Sequence, residues 1–117
     1  MRAGGSQSDA IRALNDAFRR TFKGGIVVLS DGIIALGAKR QHAILAAVQA
    51  FDDFNEADDP WGEHDMAAVM VDGERIFFKF DYYDPIRAEY SDDPADPAKT
   101  ERVLTIMFGR EYGATNR

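Results

Sequence analysis

The sequence predicts an α+β domain: an antiparallel sheet containing a β-hairpin over residues 66–83, with about three helices (8–22, 38–51 and 97–112) packed mainly on one face. Three observations lead there. Apolar residues recur at three-and-four spacing in two early segments, which is the stripe of a half-buried helix. The stretch "MAAVMV-DG-ERIFFKFDYY" alternates about a central Asp-Gly, which is a hairpin signature. Helices beside a hairpin, rather than regularly interleaved strands, point to an antiparallel sheet with one covered face. At 117 residues, 45% hydrophobic and 29% charged, the chain has the size and composition of one ordinary domain, able to bury roughly two thirds of its unfolded surface. That domain is expected over residues 8–113, between a disordered tail at 1–7 and a short tail at 114–117.

In chain order, Ser8 is placed to cap the first helix, whose buried stripe is Ile11, Leu14, Phe18 and Phe22. Arg19, Arg20 and Lys23 suit its C-terminal dipole, and Gly24-Gly25 stops it. "GIVVLS" (25–30) reads as a buried strand, Asp31-Gly32 as a turn and "IIAL" as a short returning strand. The second helix turns Ile44, Leu45, Val48 and Phe51 inward. In the hairpin, Asp72-Gly73 forms a two-residue loop and sets Val71 opposite Glu74. Val69, Val71, Ile76, Phe78 and Phe80 then share a core face; a one-residue slip would move Phe78 and Phe80 to the mixed face, so the register is well specified. Asp96-Pro97 is a helix-start pair and is expected to open the last helix, although "VLTI" within it favours strand.

Composition excludes several function classes. There is no cysteine, hence no disulfide, thiol nucleophile or cysteine-based zinc site. No apolar run reaches the ~20 residues of a membrane helix, and "MRAGGSQSDA" lacks the apolar centre of a secretory signal. A cytoplasmic protein, away from membranes, is expected. A net charge of −6 argues against direct nucleic-acid binding, which needs clustered Lys and Arg. No cofactor is implied.

The segments "LNDAFRRTF", "AVQAFDDF", "DDPWGEHDMA", "FKFDYYD", "DPADPAKTERVLTIMF" and "EY" together resemble the pattern of domain of unknown function 3768. The resemblance runs from Leu14 to Tyr112. It implies small alphaproteobacterial proteins often carried on plasmids and other mobile elements, and brings no activity or catalytic residues. That family tends to hold Thr before the glycine of the turn after the first strand, where this chain has "SDG".

Two candidate sites follow from the residues. Extended by two pairs, the hairpin register sets His64 opposite Asp81, with Cβ atoms ~5 Å apart. A carboxylate orienting an imidazole is half of a catalytic triad or the outer shell of a metal site, so His64 and Asp81 are candidate catalytic residues and His64, Asp81 and Asp84 candidate metal ligands of a hydrolase or nuclease. The plainer reading is a structural pair closing the hairpin's open end. No Gly-x-Ser-x-Gly or phosphate-binding loop is present.

The second site rests on charge. Residues 52–65 hold seven acids and no Lys or Arg, and residues 81–96 hold six acids and one Arg. Both flank the hairpin's open end, so one acidic pole is expected there, with Trp61, Tyr82 and Tyr90 among its carboxylates. Such a surface suits a basic partner. Asp58, Asp59, Glu63, Asp84, Asp92 and Asp93 would supply charge, and Trp61, Tyr82 and Tyr90 would anchor. The partner expected is a basic protein such as a nucleic-acid-binding effector, the leading function an anti-CRISPR or anti-restriction inhibitor, and the alternatives the metal-dependent hydrolase and a structural or regulatory partner protein.

Overall fold

The computed structural model describes residues 5–86 and 89–115. Helix α1 (Gly5–Thr21) leads into strand β1 (Ile26–Leu29), the short helix α2 (Asp31–Ile34) and helix α3 (Ala38–Ala50). A long loop reaches the hairpin of β2 (Met66–Val71) and β3 (Glu74–Tyr83); then come a 3₁₀ turn at Pro97–Lys99, strand β4 (Glu101–Phe108) and helix α4 (Gly109–Thr115). The sheet order is β1-β4-β3-β2. The α+β class is as expected, and the hairpin pairs as its turn dictates, from Val71 with Glu74 to Met66 with Lys79.

Four expectations are corrected. The segment expected as one helix over 97–112 is a strand for most of its length. Asp96 does accept a hydrogen bond from the Ala98 amide and Pro97 follows it, but this nucleates a single 3₁₀ turn. The alternation Arg102, Leu104, Ile106, Phe108 buries one face beside β-branched Val103 and Thr105, and strand-prone alternation prevails over the start signal. The sheet is also mixed: β4 runs antiparallel to β3 but parallel to β1. "IIAL" does not return as a strand either: Ile33 and Ile34 belong to α2, which Ser30 caps by accepting from the Ile33 amide. Finally, α1 begins at Gly5 rather than at Ser8, so residues 5–7 are its first turn; residues 1–4 of the expected tail, and 116–117 of the other, lie outside the described residues.

The core lies between the sheet and α1, α2 and α3. Phe18, Ile33, Ile44 and Val48 meet Ile76, Phe78, Phe80, Leu104, Ile106 and Phe108. Gly25 lets β1 start close against β4: a Cβ there would collide with the Arg102 carbonyl and the Phe18 ring. Among the described residues no helix is long and apolar enough to cross a membrane.

Candidate functional site at the open end of the sheet

The start of β2, the end of β3 and the start of β4 lie together at the hairpin's open end, as the pairing of Tyr83 with Glu101 requires. The ladder runs one pair past β2, because the Phe80 amide donates to the Asp65 carbonyl at 2.8 Å. It stops at His64, which adopts φ 55°, a left-handed conformation uncommon for a non-glycine residue. His64 is thereby turned off the sheet. Its Nδ1 lies 2.9 Å from Asp16 Oδ1 on α1, and its ring stacks on Phe54 at 3.9 Å. Asp81 is paired with Lys79. The expected His64–Asp81 pair is therefore not formed, and Asp16 is the carboxylate that orients the imidazole.

Asp16 also accepts from Arg19 Nη2 at 2.9 Å. The Arg19 side chain is fully buried, and its Nη1 donates to the carbonyls of Val48, Gln49 and Phe51. A guanidinium thus satisfies the open carbonyls at the end of α3, which matches the negative pole of that helix. The guanidinium carbon lies 5.3 Å from the Phe54 ring centroid, so Arg19, Asp16, His64 and Phe54 together clamp the loop that leaves α3. The hydroxyls of three serines are engaged elsewhere: Ser8 donates to Glu63, Ser30 to Glu111, and Ser91 to the Lys99 carbonyl. Among the described residues no three His, Asp or Glu side chains are grouped to hold a metal ion.

A second polar seam joins the two acidic loops. Asn15 Nδ2 donates to the Glu63 carbonyl at 3.0 Å and to the Tyr82 hydroxyl at 2.8 Å. Its Oδ1 accepts from Arg102 Nε at 2.9 Å, and Arg102 Nη2 donates to the Pro94 carbonyl. One asparagine and one arginine therefore tie loop 52–65 to loop 84–97 through the core. The guanidinium also lies over the Tyr82 ring, 5.2 Å from its centroid. Burial pushes the Tyr82 hydroxyl up from its ordinary range, and burial likewise lowers Arg102. The Asp65 carboxyl is pushed up to about 6, first by burial and then by the neighbouring Asp59 and Glu63.

The acids and aromatics of the expected pole divide into two sets. Asp59, Glu63 and Tyr82 face inward. Asp59 accepts from the amides of Glu63 and His64, and Glu63 is buried and accepts from Ser8. Asp92 is exposed, while Asp58, Asp84 and Asp93 are half-buried. Trp61 is 63% exposed and Tyr90 72%. Tyr90 stacks on Tyr83 at 5.5 Å, so it is held in place rather than loose. A cleft of about 320 Å³ is lined by Asp84, Pro85, Ile86, Asp92, Ala98 and Lys99. Of the basic helix residues, Arg19 is committed to the core, and Arg12 to Asp9 and the Gly62 carbonyl.

Asn15, Asp16, Arg19 and Arg102 were not singled out from the sequence as site residues. Asn15 carried a visible signal: with Ile11, Phe18 and Phe22 it keeps the four-three-four spacing of the buried stripe, and a polar residue on such a stripe requires a partner.

Residues 29–111 match the family described as "Protein of unknown function (DUF3768)". That is most of the chain, and the chain belongs to this family. No curated protein and no solved structure matches it.

Proposed function

We propose that this DUF3768 protein is a binding protein that acts through the open end of its sheet, where exposed aromatic side chains stand among carboxylates. The observation that supports this most is the exposure of Trp61 and Tyr90 on two loops joined through Asn15 and Arg102. An exposed tryptophan on a braced loop is a ready anchor, since little ordering is lost when a partner covers it. The surrounding Asp58, Asp84, Asp92 and Asp93 would steer a basic partner and set its orientation. A protein that grips nucleic-acid phosphates with Arg and Lys fits that chemistry. If the chain travels on mobile elements, a restriction or CRISPR effector is the partner class we favour, with its basic groove occluded by competition for those cations.

Capture from a host lysate by the tagged chain, at low and at raised salt, tests the reading when run beside a Trp61→Ala/Tyr90→Ala variant. A basic nucleic-acid-binding protein held at low salt, released at high salt and lost with the double variant is the expected result. Equal capture by the variant, or no capture at either salt, overturns it.

A further inference from the structure

The feature that the open-end reading leaves unused is the β2 edge of the sheet. Strand β2 ends the order β1-β4-β3-β2. Since Val71 with Glu74 closes the two-residue loop and Phe80 donates to the Asp65 carbonyl, residues 65, 67, 69 and 71 bond toward β3. In an antiparallel pair the alternate residues point the other way. The amides and carbonyls of Met66, Ala68 and Met70 are therefore directed off the edge. Natural edges are guarded by charge, proline, a bulge or a covering element. This one reads Met-Ala-Ala-Val-Met-Val, with neither charge nor proline, in a chain that is 29% charged. Met70 is 64% exposed.

We infer that β2 pairs with β2 of a second copy of this chain, antiparallel about a twofold axis at Ala68, to make one continuous eight-stranded sheet. The outward-bonding residues are self-complementary in that register. Ala68 meets Ala68, and Met66 meets Met70 on both sides of the axis, so two large side chains pack across from each other while the small one sits where the strands cross the axis. A twofold contact demands this symmetry.

Charge selects the same arrangement. Helix α3 runs opposite to β2. Its end lies near the strand's start, where Phe51 meets Phe78, and its beginning lies at the turn end, where Gln41 donates to the carbonyls of Ile33 and Ile34. Exposed Asp52 and Asp53 thus mark one end of this layer, and exposed Lys39 and Arg40 the other. The antiparallel twofold sets the acidic end of each copy beside the basic end of the other. The flank of α3 that would face its twin carries small residues along most of its length. Gln49 faces α1, where it donates to the Arg20 carbonyl; at 100° per residue Ala43, Ala47 and Ala50 lie on the opposite flank, with Arg40 in line at its basic end.

Light scattering and amide hydrogen exchange on the full chain test the proposal across a concentration series. The expected mass at high concentration is twice the 13.0 kDa chain, with the Met66, Ala68 and Met70 amides protected and with dissociation promoted by salt. Ala68→Pro removes an amide that is directed off the edge, and Ala68→Lys sets two cations together at the axis. Each is expected to give a monomer whose remaining hairpin amides stay protected. A wild type that remains monomeric to about 100 μM, well above the micromolar range of ordinary specific association, overturns the inference. So does a dimer that survives Ala68→Lys, with a folded Met70→Lys variant as the second check should Ala68→Pro fail to fold.

Discussion

The two ends of the covered sheet face are filled by opposite chemistry. Toward the hairpin turn, Ile33, Ile76, Ile106 and Phe108 close an apolar space, each 3% exposed or less. Toward the open end, the space beneath α1 is filled by Asn15, Arg19, Glu63 and Arg102, which are buried as well. Apolar contacts have no direction, so the first end supplies stability and tolerates swaps that keep volume. Hydrogen bonds are directional, and a buried group that loses its partner keeps its desolvation cost. The second end therefore fixes where two loops stand. Stability and placement are handled by different halves of one core.

The contrast breaks if truncation at the apolar end is mild. Phe108→Ala is expected to cost about 3–5 kcal/mol, read as the loss in urea-unfolding free energy, with the loops still ordered in whatever remains folded. At the polar end, Asn15→Leu keeps volume yet removes the acceptor of Arg102 Nε and the amide that donates to the Glu63 carbonyl. A loss of about 1–3 kcal/mol is expected, together with faster amide exchange at His64 and Ser91 and a changed Trp61 fluorescence. Native exchange in both loops of the Asn15→Leu variant would mean that the seam does not brace them.

The third effect depends on pH and concerns Asp65, whose carboxyl is held up near 6 by burial and by Asp59 and Glu63. The folded state thus binds this proton more tightly than the unfolded chain, where aspartate titrates near 3.9. Its contribution to stability is present below about pH 4 and is lost as pH rises through about 6. Asp65→Asn should remove that decline, so the wild-type minus variant difference in urea midpoint should fall between pH 4 and pH 6. A difference independent of pH would show that Asp65 is not the titrating group.

The apolar end was far more legible than the polar one. Asp72-Gly73 and the alternation around it fix the hairpin register, because a slip would expose Phe78 and Phe80. Strand β4 was hidden behind Asp96-Pro97, a start signal that local reading cannot distinguish from that of a full helix. With β4 went Arg102, whose inward direction is evident only once Leu104 and Ile106 are seen to alternate with it. The open end depended on a single backbone torsion: had His64 stayed extended, it would have faced Asp81, and its φ of 55° sends it to Asp16 instead. Nothing in the local residue pattern announces that choice, since the partner is 48 residues away.

The place of β4 bears on how the chain can fold. It follows the other three described strands in sequence, yet it lies inside the sheet, between β1 and β3. Residues up to the Pro97–Lys99 turn hold three helices, a hairpin and a lone strand with a gap between β1 and β3, and β1 gains its partner only after some 75 further residues have been made. Pairings so distant along the chain slow folding, because loop closure must precede any reward. During synthesis at ~5–20 residues per second, the β1 side of β3 would stand open for seconds, and collapse would wait on the eight residues of β4.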